Sequence, residues 1–221
     1  MQATVGSQCL ECAKAGRPDT ATRVRHAAAG VLTPVTYALI AMNVAVFVWM
    51  AAAGSRSLSG GLTDEHARLG LSKGILRYGV QYTDGTISGP HEWWRLVTSG
   101  FIHFGVFHIL MNMLLLFQLG MLLERAIGST RLALMYVASL LAGSLGVLLV
   151  DSGGITGGAS GAVFGLMAGA AVGLHRRGVN VFSTGIGTTL LINLVLTFTI
   201  NGISIGGHVG GIVGGSICGL S

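Results

Sequence analysis

The sequence predicts an all-α membrane protein of six transmembrane helices, and three observations carry that prediction. Of its 221 residues, 51% are hydrophobic and only 10% are charged, with a mean hydropathy of +0.71; a water-soluble domain carries about 25% charged residues. Six segments reach or approach the ~20 mostly apolar residues that a bilayer core of about 30 Å demands of a helix. The 36 glycines lie inside these apolar runs while Pro is limited to 3, a pattern of closely packed membrane helices rather than of a disordered chain.

The first span is expected over Pro34–Ala53, with Thr33 as N-cap and Pro34 as a natural first helical residue. A long external loop follows, about residues 54–100, too rich in Gly, Ser, Thr and charges to span. The second span is expected over Phe104–Leu123, the third over Leu132–Val150 and the fourth over Gly158–Leu174. The fifth is expected over Val181–Ile200 and the sixth over Ile203–Leu220. Residues 1–33 read as a solvated cytoplasmic tail. Cys9 and Cys12 form one CxxC there, with His26 as a third candidate ligand. A structural zinc site takes four ligands, so the remnant of a zinc-binding module is the alternative for this tail.

The net charge of +5 is modest and its basic residues are scattered, whereas nucleic-acid binding needs a clustered basic face. Contact with a lipid bilayer is expected and contact with nucleic acid is not. With the N-terminus cytoplasmic, Lys14, Arg17, Arg23, Arg25, Arg125, Arg131, Arg176 and Arg177 lie inside against only Glu11, Asp19 and Glu124. That excess obeys the positive-inside rule. The first 30 residues lack the apolar stretch of a signal peptide, and a bacterial plasma membrane is the expected location.

In this topology the even-numbered helices all enter the membrane from outside. Ionisable and polar residues inside spans are costly and mark function by default. His108 and Asn112 in the second span, Ser160 in the fourth and His208 in the sixth all lie near the outer ends of even-numbered helices. At about 1.5 Å per helical residue, Ser160 and His208 fall at similar shallow depths. His108 and Asn112, at i and i+4, share one helix face. Glycine brings two of these helices together: Gly157, Gly161, Gly165, Gly169 and Gly173 form a ridge on the fourth span. The sixth carries two rows, Gly206, Gly210, Gly214 and Gly207, Gly211, Gly215.

Ser160 needs a neighbouring base to become a nucleophile, and His208 is the base at matching depth. His108, Asn112 and the Ser160 backbone N–H are the candidates to stabilise an oxyanion. No buried carboxylate is available to His208, so a Ser–His dyad rather than a triad is expected. Against this stand blander roles: a lone membrane serine usually bonds its own i−4 carbonyl. Asn43 and Asn193 read as helix-packing residues, and His103 as an interfacial residue at the mouth of the second span.

Gly158-Ala159-Ser160-Gly161 resembles the GxSG motif around the nucleophile of rhomboid intramembrane serine proteases, and His208-Val209-Gly210-Gly211 resembles the family's sixth-helix histidine segment. His103, His108 and Asn112, spaced HxxxxHxxxN, resemble its second-helix motif. Trp94-Arg95 resembles the structural pair of the long first loop, and Glu124-Arg125-Ala126-Ile127-Gly128-Ser129 the segment between the second and third helices. The resemblance covers about residues 34–221 and implies a six-helix rhomboid-like bundle working without cofactor or metal. It implies cleavage of single-pass transmembrane substrates near their outer end, with His108 and Asn112 at the oxyanion. Phe164 stands where relatives often carry tyrosine, and its ring is expected to pack on His208. A catalytically inactive rhomboid-like protein that binds transmembrane helices is the alternative, and a small transporter using His108 and His208 a more distant one. The sequence leaves homo-oligomerisation open.

Overall fold

The computed structural model describes residues 33–54, 56–151 and 153–220. The tail with Cys9, Cys12 and His26, and with it the basic residues Lys14 to Arg25, lies outside the described residues. Helix α1 (Pro34–Ala53) is followed by three short helices, α2 (Arg56–Ser59), α3 (Asp64–Leu69) and α4 (Lys73–Tyr78). A hairpin of β1 (Val80–Gln81) and β2 (Ile87–Ser88) pairs antiparallel, Val80 opposite Ser88, and leads to α5 (Arg95–Thr98) and a 3-10 turn at Ser99–Phe101. The rest is helical: α6 (Val106–Ile127), α7 (Ser129–Val150), α8 (Ser160–Arg176), a 3-10 turn at Val181–Thr184, α9 (Ile186–Thr199) and α10 (Ile205–Leu220).

Among the described residues, α1, α6 and α7 are each long and apolar enough to cross a membrane. Helices α8, α9 and α10 have 17, 14 and 16 residues, short of the ~20 that a full crossing takes. The expected boundaries shift by two or three residues at several helix ends and by more at two places. The fifth span does not run unbroken from Val181: Gly185, at φ 80°, ends the 3-10 turn and starts α9 afresh, a conformation open to glycine because it has no β-carbon. The second span does not stop at Leu123 but continues through Glu124 and Arg125.

Glu124 explains that extension. Its carboxylate accepts hydrogen bonds from the Val35 and Thr36 backbone N–H groups, at 3.0 and 2.8 Å, and from the Thr36 hydroxyl at 2.7 Å. A fourth comes from the Ser129 hydroxyl at 2.6 Å. The open donors at the start of α1 are thus capped by an acid from another helix. Thr33 occupies the N-cap position, but its side chain makes no capping bond and instead contacts the Met121 sulfur at 2.7 Å.

Helix α10 packs chiefly on α7 and α8, and its two glycine rows divide between them. A Cβ added at Gly169 would lie 2.9 Å from the Gly215 carbonyl oxygen, and one at Gly219 2.7 Å from that of Gly169. The row Gly207, Gly211, Gly215 therefore meets Gly161, Gly165 and Gly169 on α8, as expected. The row Gly206, Gly210, Gly214 faces α7 at Gly146 and Ala142, a partner the sequence did not assign. The ridge is also shorter than its period suggests: Gly157 precedes α8 and abuts Ile102, and a Cβ at Gly173 would meet nothing within 4 Å. Leu116, Leu119 and Leu123 pack with Leu132, Tyr136, Phe164 and Met167 in the core. The outer faces carry exposed apolar side chains such as Phe107 and Leu149, 76% and 80% accessible, as lipid-facing surfaces require.

The long loop is held by Arg95, which is fully buried. Its guanidinium donates to the carbonyls of Ala67 (2.6 Å) and Gly70 (3.0 Å) and pairs with Glu92 at 2.6 Å. It also lies 4.8 Å from the centroid of the Trp94 ring. The loop then docks on the segment ahead of α8. Leu71 and Thr156 exchange backbone hydrogen bonds of 2.9 and 2.8 Å, and Gly158 N–H donates to the Ser99 carbonyl at 2.8 Å. The residues that place Ser160 are therefore fixed from the loop side.

Candidate active site

Ser160 is the first residue of α8, so its own backbone N–H has no acceptor within the helix. The chain reaches it through Gly158, at φ 132°, and Ala159, whose carbonyl accepts from Val163 N–H at 3.0 Å. His208 lies in the first turn of α10 and is buried. The start of that helix is held by Asp151, at the end of α7, whose carboxylate accepts from the Gly206 N–H at 3.0 Å and from the Ser204 hydroxyl.

These two helix starts meet. His208 Nε2 and Ser160 Oγ are 2.8 Å apart, so Ser160 does not spend its hydroxyl on its own helix. Phe164, one turn beyond Ser160, stacks on the His208 imidazole with ring centroids 4.1 Å apart and planes inclined by 22°. On the other edge of the ring, Nδ1 lies 2.7 Å from the hydroxyl of Thr197 on α9, a residue the sequence reading passed over. Its one prior signal is a hydroxyl near the C-terminal end of the expected fifth span, a few residues ahead of the helix that carries His208.

His108 approaches from α6. A Cβ placed at Gly158 would lie 3.0 Å from His108 Nε2 and 3.6 Å from Ser160 Oγ, so the space left by this glycine borders both groups. The Phe104 backbone N–H donates to His108 Nδ1 at 3.3 Å. In a neutral ring that leaves the proton on Nε2, directed to the same space. Asn112, buried one turn along α6, donates from Nδ2 to the His108 carbonyl at 2.9 Å. One amide hydrogen remains uncommitted.

His103 lies just ahead of α6, at the mouth of the expected second span, and its role is structural. It is fully buried, edge-to-face with His108 at 5.1 Å between ring centroids, and its Nε2 accepts a long 3.5 Å contact from Ala159 N–H. Its carbonyl oxygen meets His66 Nε2 at 3.2 Å, so it joins the loop to the segment before Ser160. Asn193 and Asn43 each donate to the carbonyl four residues back in their own helix, at 2.8 Å. Asn193 therefore does not tie helices through its side-chain amide. Among the described residues, no group of three or more His, Cys, Asp or Glu side chains gathers in a metal-holding arrangement.

A serine and an imidazole in hydrogen-bond contact, on apolar helices packed through glycine, point toward one family. Its domain model, the Rhomboid domain, matches residues 90–221. The chain belongs to the rhomboid family. This rhomboid is 30% identical over 183 residues to the rhomboid protease GluP of Bacillus subtilis (strain 168), covering 81% of this chain and 33% of GluP. It is 46% identical over 69 residues to RHOMBOID-like protein 1 of Arabidopsis thaliana, 31% of this chain and 18% of that protein. It is also 33% identical over 85 residues to Inactive RHOMBOID-like protein 8 of the same plant, 38% of this chain and 24% of the relative. The chain thus spans about a third or less of the length of these relatives. Rhomboid membership and the long apolar helices make it an integral membrane protein. Relatives named as proteases and as inactive both occur, so activity turns on the site itself.

Proposed function

We propose that this rhomboid is an intramembrane serine endopeptidase in which Ser160 attacks and His208 acts as general base and acid. The observation that carries it is the 2.8 Å contact between His208 Nε2 and Ser160 Oγ. In the proposed sequence, the Ser160 hydroxyl proton passes to Nε2 as Oγ bonds to the substrate carbonyl carbon. The resulting oxyanion is met by the Ser160 backbone N–H, His108 Nε2–H and, once the Asn112 side chain turns toward it, the amide hydrogen that Asn112 does not give to the His108 carbonyl. Each such donor lowers the barrier by about 3 kcal/mol. His208 then gives its proton to the leaving amine as the peptide C–N bond breaks. A water molecule, deprotonated by His208, cleaves the acyl-serine ester.

The substrate class is a single-pass transmembrane helix cut near its outer end, with the N-terminus of the protease cytoplasmic. Support comes from the distribution of charge. Arg125 and Arg131 flank the α6–α7 joint, and Arg176 ends α8. All three are at the end of the bundle opposite Ser160, which starts α8, and excess arginine marks the cytoplasmic side.

The test is a gel-based cleavage assay of a single-pass substrate in detergent, run beside fluorophosphonate labelling. Wild type is expected to cleave and to label at Ser160. Ser160→Ala is expected to abolish both, and His208→Ala to slow cleavage by roughly 10³-fold or more. Undiminished cleavage by Ser160→Ala ends the proposal. Folded wild type that neither labels nor cleaves would assign the chain to the helix-binding, inactive class.

A further inference from the structure

The far side of His208 carries information that a Ser–His dyad does not use. Thr197 is buried near the C-terminal end of α9. Its Oγ1 lies 2.8 Å from the Asn193 carbonyl oxygen and 2.7 Å from His208 Nδ1. Two oxygens 2.8 Å apart need a hydrogen between them, and a carbonyl has none to give, so the single hydroxyl proton of Thr197 is assigned to the Asn193 carbonyl. Toward His208 the threonine is left with lone pairs, and Nδ1 must be the donor. A neutral imidazole has one N–H. Nε2 therefore presents its lone pair to Ser160 Oγ, 2.8 Å away.

We propose that Thr197 is a positioning residue that locks His208 in the Nδ1–H tautomer, the one form able to accept the Ser160 proton. The assignment deepens the proteolytic role proposed above and rests on it. In the opposite tautomer Nε2 would carry hydrogen toward Ser160, and no base would face the nucleophile. The chain of donors runs in one direction: Ser160 O–H to Nε2, Nδ1–H to Thr197 Oγ1, Thr197 O–H to the Asn193 carbonyl. When the Ser160 proton reaches Nε2, the ring becomes a cation with a proton on both nitrogens. Thr197 goes on accepting from Nδ1, and that bond strengthens as charge appears on its donor.

A carboxylate does this work in a Ser–His–Asp triad. Here a hydroxyl polarised by a helix carbonyl sets the tautomer without placing a second charge in a low-dielectric interior, where an ion is expensive to bury. Hydroxyls of membrane helices routinely bond their own i−4 carbonyl as packing, and Thr197 does so too. What sets it apart is the second partner: the same oxygen also meets an imidazole nitrogen.

The test uses the full chain in detergent with two variants. Thr197→Val keeps the branched shape and removes the oxygen, whereas Thr197→Ser keeps the hydroxyl. Thr197→Val is expected to lower kcat about tenfold with KM unchanged, the loss of roughly one net hydrogen bond at the transition state. Thr197→Ser is expected to restore most of that loss. A second readout needs no cleavage: imidazole ¹⁵N chemical shifts in histidine-labelled protein, with the His208 signals assigned by their absence from His208→Gln. Wild type is expected to show the Nδ1–H form and Thr197→Val a share of the Nε2–H form. A wild-type Nε2–H tautomer overturns the proposal. So does a Thr197→Val protein with unchanged kcat and shifts, or a Thr197→Ser protein as impaired as Thr197→Val. If wild type fails to cleave at all, the proteolytic role falls, and the ¹⁵N shifts still decide the part played by Thr197.

Discussion

The glycine contact between α8 and α10 sets the Ser160–His208 distance, and Gly211→Ala measures how tightly. A β-carbon at residue 211 would overlap the Gly161 carbonyl oxygen and sit 2.7 Å from its carbonyl carbon and 3.1 Å from its Cα. Ordinary carbon–carbon contact is about 3.5–4.0 Å, so relief takes a separation of about 1 Å between the helices. The obstacle is backbone on a packed helix, which cannot turn aside. Gly161 directly follows Ser160, and Gly211 lies one turn beyond His208, so the separation falls on the dyad. A contact of 2.8 Å would open to about 3.8 Å, beyond hydrogen-bond range. A misplacement of that size costs about 100-fold in rate, and overpacking destabilises by about 1–3 kcal/mol. The assay is the rate of fluorophosphonate labelling and of substrate cleavage, with thermal unfolding measured alongside. Gly173→Ala is the control, because a Cβ there meets nothing within 4 Å. It is expected to keep full rate and to gain about 0.5–1 kcal/mol from the lost glycine entropy. Folded Gly211→Ala with wild-type rates would refute the reasoning, as would equal damage from both substitutions.

Two further predictions concern the long loop between α1 and α6. Arg95→Lys keeps the charge but loses the planar fork, leaving the carbonyls of Ala67 and Gly70 short of donors. It is expected to destabilise by about 2 kcal/mol or more and to hasten proteolysis within residues 56–95; an unchanged digestion rate would contradict the role of Arg95 as the loop's anchor. His66 is buried under the loop, and desolvation lowers its pKa below the ordinary value of 6.5, with the His103 carbonyl and Glu65 opposing. The folded protein therefore binds this proton less readily than the unfolded chain does. Its contribution to stability is intact above about pH 6.5 and is lost as pH falls from there toward the lowered folded value. Thermal unfolding followed from pH 7.5 to 5.5 is expected to fall less steeply for His66→Gln than for wild type, and parallel curves would show that His66 does not report the acid sensitivity.

A helical membrane protein was legible in the sequence, as was the expectation that its polar side chains share one level on alternate spans. Apolar run length answers to bilayer thickness, and depth within a run follows from counting residues, so both are local quantities. The sequence also brought Ser160 and His208 together, because glycine rows at a four-residue period mark the faces where two backbones can touch, and it anticipated Phe164 over the imidazole. Which way each helix is rotated, and which carbonyl or carboxylate it meets, is not local. Glu124 caps α1 from another helix, Asp151 caps α10 from the end of α7, and the second glycine row of α10 seats on α7. Thr197 reads in sequence as one more hydroxyl bonded to its own helix. Only the rotation of α9 against α10 turns its oxygen to His208. These pairings appear only once the helices are packed, because a hydrogen bond is set by distances of a few tenths of an ångström between elements that hydropathy places only to within a turn.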